Sequence, residues 1–203
     1  MALIFEGVIV TRDASGGAHV TPMGFRRRGV MVEIAPFVPS QTLANLRRHG
    51  CATMNLTDDV RVVAGCLTGH REWPLVPAQT IDACRLRDCL AHLELAIEAV
   101  SDDAARPRFT LRVVHEATHG AFAGFNRAQA AVIEAAILVS RLDFIDPAKL
   151  ARDMNYLHIA VAKTAGDAEW TAWRWLLDAI AAHPRHALDC AALATSEGLA
   201  VAD

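Results

Sequence analysis

The sequence predicts an α+β protein, with strands first and helices second. Two observations carry this prediction. Up to about residue 66 the chain runs in short β-branched or alternating segments separated by turn clusters, and after Phe125 its apolar residues recur at helical spacing. With 203 residues, 53% of them apolar, there is enough material for a sizeable buried core. The expected division is a strand-rich domain over 1–120 and a helical region over 121–203.

Residues 4–11 are rich in β-branched side chains and run into Asp13-Ala-Ser-Gly-Gly17, a turn cluster that predicts a hairpin with a return strand over 18–24. The basic cluster Arg26, Arg27 and Arg28 precedes Gly29 and reads as a solvated turn. A third strand is expected over 29–35, ended by Pro36 and Pro39. Ser40 is a good N-cap, Leu43 and Leu46 give an apolar face and Gly50 ends the run, so 41–49 is predicted helical. Two further strands are expected at 51–56 and 60–64. Residues 69–77 read as a loop and 81–90 as a helix. The alternating stretches 92–100 and 108–114 form an antiparallel pair. Helices follow at 126–142, at 147 onward with Asp146 as cap and Pro147 in the first turn, and at 168–182 with Trp170, Trp173, Leu176, Leu177 and Ile180 at helical spacing.

Charge and composition exclude several classes. A balance of 20 basic against 23 acidic residues argues against broad nucleic-acid binding. The longest apolar stretch, near 130–139, is broken by Glu134 and is too short to span a bilayer. Five cysteines without a CxxC pair fit a reducing cytoplasm better than a disulfide framework. The first residues carry no basic segment of the signal-peptide kind.

Three segments can hold a ligand. At Pro36-Phe-Val-Pro-Ser-Gln-Thr-Leu-Ala-Asn-Leu46, the predicted helix start offers unpaired amides and the hydroxyls of Ser40 and Thr42 to an anion, although Ser40 serves equally as a plain cap. Thr21-Pro-Met-Gly24 ends a strand where the backbone allows close approach of a planar ligand. Asn55-Leu-Thr-Asp-Asp59 ends another with polar groups. Taken singly, either of these two strand ends is better read as an ordinary strand terminus, and neither is specific without the other.

Taken together, these segments, with Thr11-Arg12, His19-Val20, Val60 and the later run Gly124-Phe-Asn-Arg-Ala-Gln-Ala-Ala-Val-Ile-Glu-Ala-Ala-Ile137, resemble a family of uncharacterised FMN-binding flavoproteins. That family occurs in methanogens and in methylotrophs that carry one-carbon units on tetrahydromethanopterin. The resemblance spans about residues 3–180. It implies a split β-barrel related to flavin reductases and pyridoxamine phosphate oxidases, followed by C-terminal helices, in a homodimer with FMN near the interface. It also implies Ser40 and Thr42 on the phosphate with Asn45 close by, and Thr21, Pro22, Met23 and Gly24 along the isoalloxazine ring. Asn55 would reach the ribityl chain or ring edge, and Arg12 and Arg61 would pair with phosphate charge. The resemblance supplies a cofactor rather than a reaction, and no residue carries the signature of a general acid or base. The expected activity is FMN-dependent oxidation or reduction of a small molecule, with the family context implying a link to one-carbon metabolism. A flavin-binding module without turnover is the alternative.

A competing motif is His115-Glu-Ala-Thr-His119, the H-E-x-x-H pattern of zinc peptidases. That chemistry needs a helix, yet 108–114 alternates like a strand and Gly120 follows at once. A zinc hydrolase on His115, Glu116 and His119 is therefore the lesser alternative, no metal is expected, and His115 or His119 has a further reading as a proton donor beside a flavin.

Overall fold

Alternation along the first segment is realised as β1 (Phe5–Arg12), and the chain returns as β2 (Ala18–Arg28). Asp13 builds the connecting turn: its Oδ1 accepts from the amides of Ser15 and Gly17, and Gly16 takes a φ of 85°. The computed structural model describes residues 3–101 and 103–196. Contrary to expectation, Arg26–Arg28 continue β2 and do not form a turn, because Arg26 pairs with Glu33 across the ladder to β3 (Met31–Ile34). Helix α1 (Gln41–His49) follows, capped by Ser40 and closed by Gly50 at φ 68°, as the residue pattern predicts. Strand β4 spans Cys51–Leu56.

The next segment departs from the expected strand. Val60–Thr68 is helix α2, despite its β-branched residues, because Asp59 caps the Arg61 amide and Gly69 closes the other end at φ 91°. Two short strands, β5 (Leu75–Pro77) and β6 (Cys84–Leu86), then pair with each other, so the helix expected over 81–90 is a hairpin arm. Long strands β7 (Ala91–Ser101) and β8 (Arg108–Thr118) complete the strand set.

The six strands other than β5 and β6 close into an antiparallel barrel in the order β1-β2-β3-β8-β7-β4, with β4 returning to β1 through Val8–Val10 and Thr53–Asn55. Its interior is packed by Ile9, Phe25, Ile34, Met54, Leu95 and Phe109, and by Leu43 and Leu46 of α1. Pairing does not run the full length of every strand: β1 and β7 run past β4 and β8 past β3, and β3 pairs with Phe25–Arg28 of β2, so residues 21–24 have β1 on one side and no paired strand among the described residues on the other.

By packing, the chain divides into two compact units, residues 1–58 with 72–122, and residues 59–71 with 123–203. The second contains α2, α3 (Arg127–Val139), α4 (Pro147–Thr164), α5 (Asp167–Ala181) and the short α6 (Cys190–Leu193). Trp173 is fully buried at its centre and donates its indole N–H to the Leu193 carbonyl, with Val132, Met154 and Leu176 around it. Among the described residues no helix is long and apolar enough to cross a membrane.

Candidate functional site

Strand register sorts the expected cofactor residues. Cross-strand partners share a face, and successive residues alternate between faces. Ile9 faces the barrel core and pairs with Thr21, while Met23 packs against that core, so Thr21 and Met23 point inward and Pro22 and Gly24 outward. Pro22 pairs with Val8, Val8 with Asn55, Asn55 with His92, and His92 with Ala117. This outer row brings Pro22, Asn55 and His92 onto one face across neighbouring strands.

Asn55 is completely buried in that row. Its amide donates to the Val8 carbonyl and to Thr53 Oγ1, and its oxygen accepts the Leu86 amide, which ties the β5–β6 hairpin over the barrel. At the start of α1, Ser40 Oγ accepts from the Leu43 amide and the Ser40 carbonyl from Ala44, leaving the Gln41 and Thr42 amides without an intrahelical acceptor. Ser40 is half-buried, whereas Thr42 is only 3% exposed. Asn45 is buried between α1 and β1, donating to Thr11 Oγ1 and accepting from Gln41. Arg12 is held by Asp82, at 2.9 Å from its carboxylate, and by the Gly16 carbonyl. Arg61 lies in the second unit, where its hydrogen bond and ion pair with Asp59 raise its pKa further.

The outer row continues into a polar cluster. Glu94 is fully buried, and its carboxylate accepts from the amides of Gln79, Thr80 and Ile81 and from the Thr80 hydroxyl at 2.6 to 3.2 Å. Burial alone would raise its pKa; the Thr80 hydroxyl, the Gln79 and Thr80 amides and His92 outweigh that and hold it at about 2. His92 Nε2 lies 3.2 Å from Glu94 Oε1, and His92 Nδ1 lies 2.9 Å from His119 Nε2. Since Glu94 is ionised, His92 carries its proton on Nε2 and donates to the carboxylate, so its Nδ1 accepts from His119. Burial pushes the pKa of His92 down, as it does that of His119, with Arg85 adding to both.

The zinc-peptidase motif is overturned here. His115-Glu-Ala-Thr-His119 lies on β8 apart from its last residue, so Glu116 faces away from His115 and His119 and pairs with Arg27 at 2.6 Å. The helical i, i+4 geometry that a water-activating glutamate needs is absent.

Two cavities lie elsewhere. A cleft of about 860 Å³ lies along α3 and α4, lined by Glu134, Ile137, Arg141, Phe144 and Tyr156 among others. A smaller one, of about 200 Å³, involves Arg26, Arg28, Glu33 and Thr110. None of the expected cofactor residues lines either.

Residues 5–120 match the family model described as "Protein of unknown function (DUF447) N-terminal domain", and residues 126–178 match "Protein of unknown function (DUF447)". The chain belongs to the DUF447 family. No curated protein matches it. Among solved structures it is similar to the FMN-bound DUF447 protein MM1853 from Methanosarcina mazei, with 18% identity and a TM-score of 0.75 over 88% of this chain and 96% of that one. It is also similar to the Streptomyces globisporus NADH:FAD oxidoreductase SgcE6, at 12% identity and a TM-score of 0.50, over 57% of this chain and 71% of that one. The expected fold, a split barrel with following helices, is thus the one this DUF447 chain adopts. Sequence reasoning missed His92 and Glu94. The available signal was their alternation on one face of a strand paired with the His115 strand.

Proposed function

We propose that this chain is an FMN-binding flavoprotein that oxidises or reduces a small molecule. The observation that carries the reading is its whole-chain likeness to the FMN-bound Methanosarcina protein, over 88% of this chain and 96% of that one.

Local features support the fit. The free amides of Gln41 and Thr42 and the half-buried Ser40 hydroxyl suit the terminal phosphate. Residues 21–24 of β2, beyond its pairing with β3, present backbone groups to the edge of a planar ring. Pro22 and Gly24 would meet the ring by their outer face, and Thr21 and Met23 through their backbone. In this reading Asn45 steadies α1, and Thr42 contributes chiefly its amide. Asn55 holds the wall beside the ligand, while Arg12 answers phosphate charge at longer range. Bound FMN supplies a hydride acceptor and donor, and the protein supplies orientation and hydrogen bonds. A homodimer, a cytoplasmic setting and a substrate drawn from tetrahydromethanopterin one-carbon metabolism complete the proposal.

The test is to titrate the purified protein with FMN, following visible absorbance and the thermal midpoint, and then to add NADH, NADPH or a reduced pterin anaerobically. Flavin bands, a raised midpoint and bleaching by one of the donors are expected. A protein that stays colourless after incubation with FMN overturns the assignment. A yellow protein that no donor bleaches favours a binding module without turnover.

A further inference from the structure

We propose that His92, Glu94 and His115 form a binding site for a divalent transition-metal ion of the zinc class, with His119 orienting His92. Each of the three side chains offers one ligand atom, and these atoms all lie within 4.8 Å of one another. They come from paired strands: Glu94 sits directly opposite His115, and His92 is two residues along the same face. The inference does not rest on the flavin reading, although His92 sits opposite Asn55 in the same outer row.

Three features point to a cation. The first is the separation of His92 Nε2 and Glu94 Oε1, 3.2 Å. Two ligands each about 2.0–2.1 Å from a tetrahedral metal ion stand about 3.3 Å apart, so this pair, hydrogen-bonded in the metal-free protein, needs little movement to share an ion once the His92 Nε2 proton is released. The second is His115, whose Nε2 is buried and has no hydrogen-bond partner. A buried imidazole nitrogen without a partner is costly, and a metal ion satisfies a lone pair that nothing else among the described residues reaches. The third is the support around the ligands. The Gln79, Thr80 and Ile81 amides fix the Glu94 carboxylate, and the ring nitrogen of His92 remote from Glu94 faces His119 at 2.9 Å. With a metal ion on Nε2, His92 carries its proton on Nδ1 and donates it to His119, the second hydrogen bond that metal-bound histidines commonly make.

Two histidines and a carboxylate suit zinc, cobalt(II), nickel or iron(II) rather than calcium or magnesium, which take all-oxygen ligand sets. Three protein ligands leave a further position for water or a small ligand. Arg85 is the basic group whose field reaches His92 and His119; its guanidinium is engaged by the Leu86 and Arg87 carbonyls. Glu116 has no part in this site, because it faces the other side of β8.

The experiment uses tag-free, chelator-treated full-length protein, titrated with Zn²⁺ by calorimetry and with Co²⁺ by visible absorption. Expected are one equivalent bound per chain, ligand-field bands from Co²⁺ and a thermal midpoint raised by Zn²⁺. His115→Ala should lower affinity at least about 10-fold while leaving the metal-free midpoint unchanged or higher, since the removed nitrogen has no partner. Glu116→Gln should bind as the wild type does. Should His92→Ala fail to fold, His115→Ala decides alone. No saturable binding, or equal binding by wild type and His115→Ala, overturns the proposal. So does a loss in Glu116→Gln as large as that in His115→Ala.

Discussion

Asn55 shows how much of this barrel hangs on single polar side chains. Its buried amide satisfies the Val8 carbonyl, the Thr53 hydroxyl and the Leu86 amide at once. Asn55→Leu leaves the first and last of these without partners. It should cost about 2–4 kcal/mol, read as a fall in the urea midpoint. Glu94 makes a related prediction about pH. Its pKa falls from an ordinary 4.5 to about 2, so the folded state binds its proton less readily than the unfolded state does. Its stabilising contribution is therefore fully present above about pH 4.5, and is lost as pH falls through about 2. Glu94→Gln should flatten the decline in stability over that range and lower stability at neutral pH, both measurable by urea titration at a series of pH values. Neither residue was legible as a support from its own position. Asn55 reads as a strand-end polar group, and Glu94 as an unremarked acid in an alternating run, until the 78–90 segment folds over them.

Helix α1 was legible from end to end because all its signals are local: a capping serine, an apolar stripe and a closing glycine. Segment 60–68 failed on the same evidence, since its valines favour a strand by composition and the deciding features are an aspartate cap, a left-handed glycine and a bed of helices in the second unit. Segment 81–90 failed because its conformation is set by distant partners, the Asn55 side chain and β5. The two readings of Ser40, cap or phosphate ligand, separate at this scale. Ser40→Ala removes the cap and should cost about 1 kcal/mol. Ser40→Asp keeps a good cap but sets a negative charge where the phosphate is proposed to lie. It should retain the thermal midpoint of the wild type while weakening FMN binding about 10-fold or more. If Ser40→Asp binds FMN as tightly as wild type does, Ser40 is only a cap.

For the molecule as a whole, alternation and turn chemistry made the strands-then-helices order readable, whereas barrel closure depends on the pairing of β1 with β4 across some 45 residues, which no local pattern specifies. That closure leaves several strand ends running past their partners, residues 21–24 of β2 among them. Natural sheets blunt such edges with charges, bulges or a cover. Here the neighbouring surface is largely apolar: Leu3, Ile4 and Phe5 are 74%, 57% and 45% exposed, and Ile4 lies against Gly24 with the Glu6 carboxylate beside it. A second copy of the chain laid on this strip would cover both the edge and the apolar groups, which is where the proposed homodimer finds its physical reason. Sedimentation over a range of concentrations should show a dimer for the wild type. Ile4→Asp should shift it toward monomer while leaving the fold intact, because an exposed side chain away from the core contributes within about 0.5 kcal/mol. A wild type that sediments as a monomer at every concentration removes the dimer from the proposal. A dimer indifferent to Ile4→Asp moves the interface off this strip.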